Sequence, residues 1–111
     1  MFGLKDKDIR LITETIENIG EIENAYVFGS RALGNYKKGS DVDIAIIGSN
    51  VTQDTVSKVS ETLNEQLPLP YFFDILDYDD ITNLNLTEHI DLHGIQIFNR
   101  DLAGPQHKRE I

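Results

Sequence analysis

The sequence predicts an α/β fold, one mixed β-sheet flanked by helices. Helical and strand periodicities alternate along the chain in the order α-β-turn-β-α-β-α-β. The strand runs show both the alternating and the continuous apolar pattern, as a sheet covered by helices requires. The first two strands are joined by a loop without a crossover helix, which makes the sheet mixed rather than wholly parallel.

Ile9, Ile12, Ile16 and Ile19 recur at helical spacing and predict a first helix that stops at Gly20. Ala25-Tyr26-Val27-Phe28 is a short β-rich run ending abruptly at Gly29-Ser30. Residues 29–40 hold three glycines and two serines, with Arg31, Lys37 and Lys38, and read as a turn with room for one helical turn, then a loop. From Asp41 to Ile47 the residues alternate: Val42, Ile44 and Ile46 face one way, Asp41, Asp43 and Ala45 the other. Thr52 caps a second helix that buries Val56, Val59 and Leu63, with Pro68 beyond its end. Tyr71 to Leu76 is a third strand, apolar except for Asp74. Asp79 and Asp80 open a third helix that closes at Gly94, and Ile95-Gln96-Ile97-Phe98 is a last strand. Residues 1–100 thus form one domain, and residues 101–111 read as a loose tail without periodicity.

The chain has 111 residues, 40% hydrophobic and 26% charged, enough for one core and too apolar for disorder throughout. Its longest apolar runs, such as Ile44-Ala45-Ile46-Ile47, fall far short of the ~20 residues a spanning helix needs, so no membrane role is expected. The N-terminus turns charged too early for a secretory signal, and the absence of cysteine removes disulfides, thiolate catalysis and Cys-based zinc sites. The cytoplasm is the expected compartment. Nineteen acidic against ten basic residues give a net charge of −9, which disfavours binding duplex nucleic acid through its phosphates. A phosphate ligand would need a local basic patch or a bridging cation.

Asp41 and Asp43 are the strongest chemical signal. On one face of a strand their Cα atoms lie ~6.5–7 Å apart, and aspartate is depleted from strands. Two carboxylates so placed either decorate a solvated surface or bind a divalent cation together with substrate phosphate oxygens. Asp74, alone among apolar neighbours, reads as a buried carboxylate that must be paired or coordinated. With the third strand beside the second, three carboxylates would suit two metal ions. Asp77 falls on the opposite face and reads as a strand-end or turn residue. Gly29 lets the backbone approach a ligand, and the Ser30 hydroxyl with the following amides makes a phosphate cradle, near the basic Arg31, Lys37 and Lys38. His89 and His93 stand at helical i, i+4 spacing, a metal face without an evident third ligand; His93 also suits a helix C-terminus. Tyr26, Phe28, Tyr71 and Phe73 read as core or sheet-face residues, with the flanking of a nucleotide base as the alternative for one of them.

The stretch Gly29-Ser30-Arg31-Ala32-Leu33-Gly34 through Ser40-Asp41-Val42-Asp43-Ile44-Ala45-Ile46 resembles the signature of the DNA polymerase β-like nucleotidyltransferases, and above all their minimal members. The likeness extends to Asp74-Ile75-Leu76 and to Ile90 with Gly94-Ile95-Gln96-Ile97-Phe98, and covers roughly residues 8–99. It implies a polymerase β-like core that binds ATP or another NTP with Mg²⁺, two ions in all. Gly29, Ser30, Arg31 and Ser40 would contact the nucleotide, and Asp41, Asp43 and Asp74 would hold the metals and carry catalysis. Small bacterial members are paired with a helical partner of the HEPN or substrate-binding type, and some are antitoxins that adenylylate a tyrosine of that partner. The resemblance therefore implies transfer of AMP to a helical toxin. The alternative is a binding module that neutralises the toxin without catalysis. Modification of a small molecule is a third option, usually requiring a second domain.

Overall fold

Period-two alternation gives each strand two unlike faces, and the sheet accordingly has two unlike coats. The computed structural model describes residues 1–37 and 39–103. Its elements are α1 (Asp6–Glu17), β1 (Asn24–Phe28), α2 (Ser30–Leu33), β2 (Val42–Ile47), α3 (Gln53–Glu61), β3 (Phe73–Asp77), α4 (Leu84–His93), β4 (Ile95–Asn99) and α5 (Arg100–Ala103). A π-helical turn, Thr62–Gln66, extends α3, and a 3-10 turn, Tyr78–Asp80, follows β3. The sheet has the order β3-β2-β1-β4. β1 runs antiparallel to β2 and β4, whereas β2 and β3 are parallel. The predicted mixed α/β sheet is the observed one: α3 lies on the connection that makes β3 parallel to β2.

One face of the sheet carries Ala25, Val27, Val42, Ile44, Ile46, Phe73 and Ile75, all buried against Ile12 and Ile16 of α1 and Val59 of α3. The other face carries a smaller cluster of Phe28, Ala45 and Ile90, with Tyr26, Leu76 and Leu86 against it, so α4 covers only part of that side. Among the described residues, no helix is long and apolar enough to cross a membrane.

Several boundaries differ from the sequence reading. α1 ends at Glu17, because Ile19 bonds back to Ile16 in a tighter turn (3.1 Å), and Gly20 is not its stop. Ile19 still joins the core. The start of α4 is set by Asn83, not by Asp79 and Asp80. Asn83 Oδ1 accepts from the amides of Asn85 (2.9 Å) and Leu86 (3.3 Å), while Asp79 lies in the 3-10 turn capped by Asp77 Oδ1 (3.2 Å). The tail expected from residue 101 begins instead as α5. Arg100 anchors this end, donating from Nε to the Ile22 carbonyl (2.8 Å) and from Nη2 to those of Glu17 and Ile19 (both 3.2 Å). A cation there also suits the C-terminus of α1. The rest of the tail, residues 104–111, and Lys38 lie outside the described residues.

Thr52 caps α3 as predicted, and Thr55 completes a reciprocal box: Thr52 Oγ1 accepts from the Thr55 amide (3.4 Å) and Thr55 Oγ1 from the Thr52 amide (3.0 Å). Thr55 is almost fully buried and donates to Glu21 Oε2 (2.9 Å), one cause of the lowered pKa of Glu21 after the hydrogen bond from its own backbone. Thr55→Val keeps the shape and removes both bonds. Urea denaturation should show a loss of about 1 to 2 kcal/mol, and an unchanged midpoint would refute the role given to this hydroxyl.

Candidate functional site

The partly uncovered face of the sheet is where the unusual residues meet. β1 ends in a turn at Gly29, whose backbone (φ +75°, ψ −154°) lies in a region essentially restricted to glycine. A Cβ at this position would also strike Asp43 Oδ2. The residue type is thus dictated twice, by the dihedrals and by the carboxylate leaning across the turn. Ser30 opens α2, which closes at Gly34 in the left-handed conformation (φ +83°), its amide donating to the Ser30 carbonyl (3.0 Å).

Asp43 stands opposite Phe28 on β1 and in register with Asp74 on β3. Neighbouring strands lie ~4.8 Å apart, so the two carboxylates share one face. Asp41 immediately precedes β2. The structure therefore brings together Gly29, Asp43 and Asp74, with Asp41 at the mouth of the row. Asp74 is exposed, contrary to the expectation of a buried carboxylate. β3 is an edge strand of the sheet.

Asp43 is half-buried, and its carboxyl is pushed up to about 6, first by burial, then by the charges of Asp74 and Asp41. Burial and neighbouring like charges both disfavour the ionised form, so an opposite charge placed here would relieve the cluster. Among the described residues, no three His, Asp or Glu side chains are arranged to hold a metal ion by themselves. The donors fit instead an ion that completes its shell with ligand oxygens, as Mg²⁺ does when it takes one or two carboxylates plus phosphates. The space kept clear of a Cβ at Gly29 lies beside those donors.

Arg31 and Ser40, expected to contact the nucleotide, are engaged elsewhere. Arg31 is 4% exposed; its Nε and Nη2 donate to the Ser40 carbonyl (3.2 and 2.8 Å) and its Nη1 to the Phe2 carbonyl (2.7 Å). Its guanidinium lies over the rings of Tyr36 and Tyr71, 5.0 and 5.3 Å from their centroids. Ser40 Oγ accepts from the Lys37 amide (2.8 Å). Both residues shape the loop that delivers Asp41. Tyr71 in turn donates to Asp8 Oδ2 (3.1 Å), and its pKa is raised, first by burial and then by that bond. Sequence reasoning missed Asp8, although it lies four residues before Ile12 and eight before Ile16, on the buried stripe of α1.

Sequence reasoning also missed the use of His89. Its Nε2 accepts from the Gly29 amide (2.9 Å), and its ring meets Phe28 edge-on with centroids 6.2 Å apart. His93 stands beside it at 5.5 Å and closes α4. The pair is not part of any metal-holding group among the described residues. Asp77 ends β3 and caps the next turn, its carboxyl raised chiefly by burial. Phe28 and Phe73 are buried, Tyr26 and Tyr71 half-buried, as core and sheet-face residues.

A row of carboxylates on a mixed sheet thus lies beside a glycine turn shaped around one of them. The family model for polymerase beta nucleotidyltransferases matches residues 10–103, and the chain belongs to that family. No curated protein matches the sequence. Among solved structures, a toxin-antitoxin with AMP-PNP superposes with a TM-score of 0.67 at 21% identity, over 90% of this chain and 77% of that one. The toxin-antitoxin MntA-HepT gives 0.64 at 19% identity over 96% and 78%. A chain from Shewanella oneidensis gives 0.61 at 18% identity, also over 96% and 78%. At these identities the likeness is one of fold.

Because Asp43 holds its proton more tightly when folded, its contribution to stability is present below the ordinary carboxylate range and is lost as pH rises to about 6. With chelator present, Asp43→Asn should be more stable than wild type at pH 7 by about 1 kcal/mol, a figure reduced for the partial exposure of the group. The difference should vanish near pH 4; a gap that widens on acidification would contradict the origin of the shift. Gly29→Ala forces both the restricted dihedrals and the clash with Asp43, and should cost about 3 kcal/mol in the same denaturation assay.

Proposed function

We propose that the protein transfers AMP from ATP to a hydroxyl acceptor in a Mg²⁺-dependent reaction, and that the acceptor is a tyrosine of a helical toxin of the HEPN or substrate-binding type, which the transfer neutralises. The observation that carries this reading is the register of Asp43 with Asp74 beside the Gly29 turn. Three carboxylates converge here, one of them half-buried with its pKa pushed up to about 6, and a cationic ligand would relieve their mutual repulsion. Membership of the nucleotidyltransferase family and the fold shared with toxin-antitoxin structures, one of them described with AMP-PNP, support it.

In this reading Gly29 and Ser30 hold the β- and γ-phosphates, and Asp41, Asp43 and Asp74 hold two Mg²⁺ ions. Bound Mg²⁺ neutralises the triphosphate and lowers the pKa of the attacking hydroxyl. Asp41 and Asp43 fix the α-phosphate end. Asp74, on the exposed edge strand, lies on the side open to the acceptor. The phenolic oxygen bonds to the α-phosphorus as the bond to the bridging oxygen breaks; pyrophosphate leaves with the electron pair and the phenolic proton passes to solvent. A phenol, with a pKa of ~10, needs less activation than a serine hydroxyl.

Calorimetry should show Mg-ATP binding that chelator and the double variant Asp41→Asn, Asp43→Asn both abolish. Co-expression with the product of the neighbouring gene should give a complex, and incubation with Mg-ATP should add AMP to the partner by intact mass spectrometry. Asp74→Asn should remove the transfer while leaving ATP affinity within about a factor of ten. Equal affinity in the double variant would overturn the site, and an unmodified but still neutralised partner would establish the binding module instead.

A further inference from the structure

We infer that His89 is a positioning residue for the phosphate turn, an inference that rests on the nucleotide reading of Gly29 and Ser30. Gly29 is tied at both of its polar groups. Its carbonyl accepts from the amides of Ala32 and Leu33 (both 3.1 Å), the first turn of α2. Its amide donates across 60 residues of sequence to Nε2 of His89 on α4 (2.9 Å). The orientation of the peptide plane between Phe28 and Gly29 governs φ of Gly29, and φ at this point decides how the turn faces Asp43. Without an acceptor, that plane can rotate toward water and Gly29 can leave its restricted dihedrals. The imidazole is therefore the part of α4 that holds the turn in the shape that accommodates the carboxylate.

His89 is itself well placed for this. Its neighbour Ile90 is buried in the cluster with Phe28 and Ala45, which fixes α4 on the sheet, and the imidazole edge packs on Phe28. An accepting Nε2 carries no hydrogen, so the ring is neutral with its hydrogen on Nδ1; the tautomer is set by the bond to Gly29. His89 acts through Gly29, and its loss should appear in nucleotide affinity more than in the rate of transfer.

The test joins a measurement on the ligand-free protein to one with Mg-ATP. Nitrogen NMR of the wild type should find the His89 hydrogen on Nδ1, and the Gly29 amide should be protected from exchange. His89→Leu, which keeps bulk and lacks an acceptor, should exchange the Gly29 amide at least about ten times faster and bind Mg-ATP about ten-fold more weakly. His89→Gln, whose amide oxygen can reach the same point, should recover affinity to within about three-fold. Should the leucine variant fail to fold, His89→Asn, too short to reach, takes its place against glutamine. A hydrogen on Nε2, an affinity unchanged by leucine, or a glutamine variant as weak as leucine would each overturn the inference. Wild type that binds no Mg-ATP would overturn the nucleotide reading and this role with it, whereas wild type that binds while the variants match it removes the role of His89 alone.

Discussion

The parallel pairing of β2 with β3 sets Asp43 beside Asp74, and like-charge repulsion across that pair is the constraint to which the rest of the site answers. One residue of slip would turn Asp74 to the packed face and bring an apolar side chain into the row. The register is held from the opposite face, where Val42, Ile44, Phe73 and Ile75 are buried against α1 and α3. Apolar burial on one side thus enforces an electrostatically unfavourable arrangement on the other. A conflict of this kind between local and global preference is typical of functional sites.

A second layer keeps the starts of both acidic strands in place. Arg31 ties the Ser40 carbonyl and the N-terminal Phe2 carbonyl together, and lies over Tyr36 and Tyr71. Tyr71 continues the chain to Asp8 on α1. Ser40 immediately precedes Asp41, and Tyr71 stands three residues before Asp74, so one polar network braces the backbone leading into β2 and into β3. Among the described residues, no buried polar side-chain atom is left without a partner. A network satisfied in this way stiffens its surroundings, because any single broken bond would strand a group away from water.

The two faces of the sheet divide stability from chemistry. The larger core lies under α1 and α3, while α4 packs on the opposite face against Phe28 and Ala45. Asp43, half-buried, and Asp74, exposed, emerge on that same face. The contact between α4 and the turn at Gly29 joins the cover to the site.

Period-two alternation from Val42 to Ile47, the isoleucine stripe of the first helix and the capping threonine at position 52 were enough to determine the α/β class, the mixed sheet and most elements, because these signals act over a few residues. The Gly-Ser turn, Asp41, Asp43 and Asp74 were legible as unusual residues in unusual places. Helix ends were less so, since Asn83 and Asp79 both have the chemistry of a cap and only the path of the chain chooses between them. The exposure of Asp74, the use of Arg31 within the fold and the bond from Gly29 to His89 were decided by tertiary structure alone. Each depends on which strand forms the edge, or on which groups meet across long separations in sequence, and a local pattern carries no record of either.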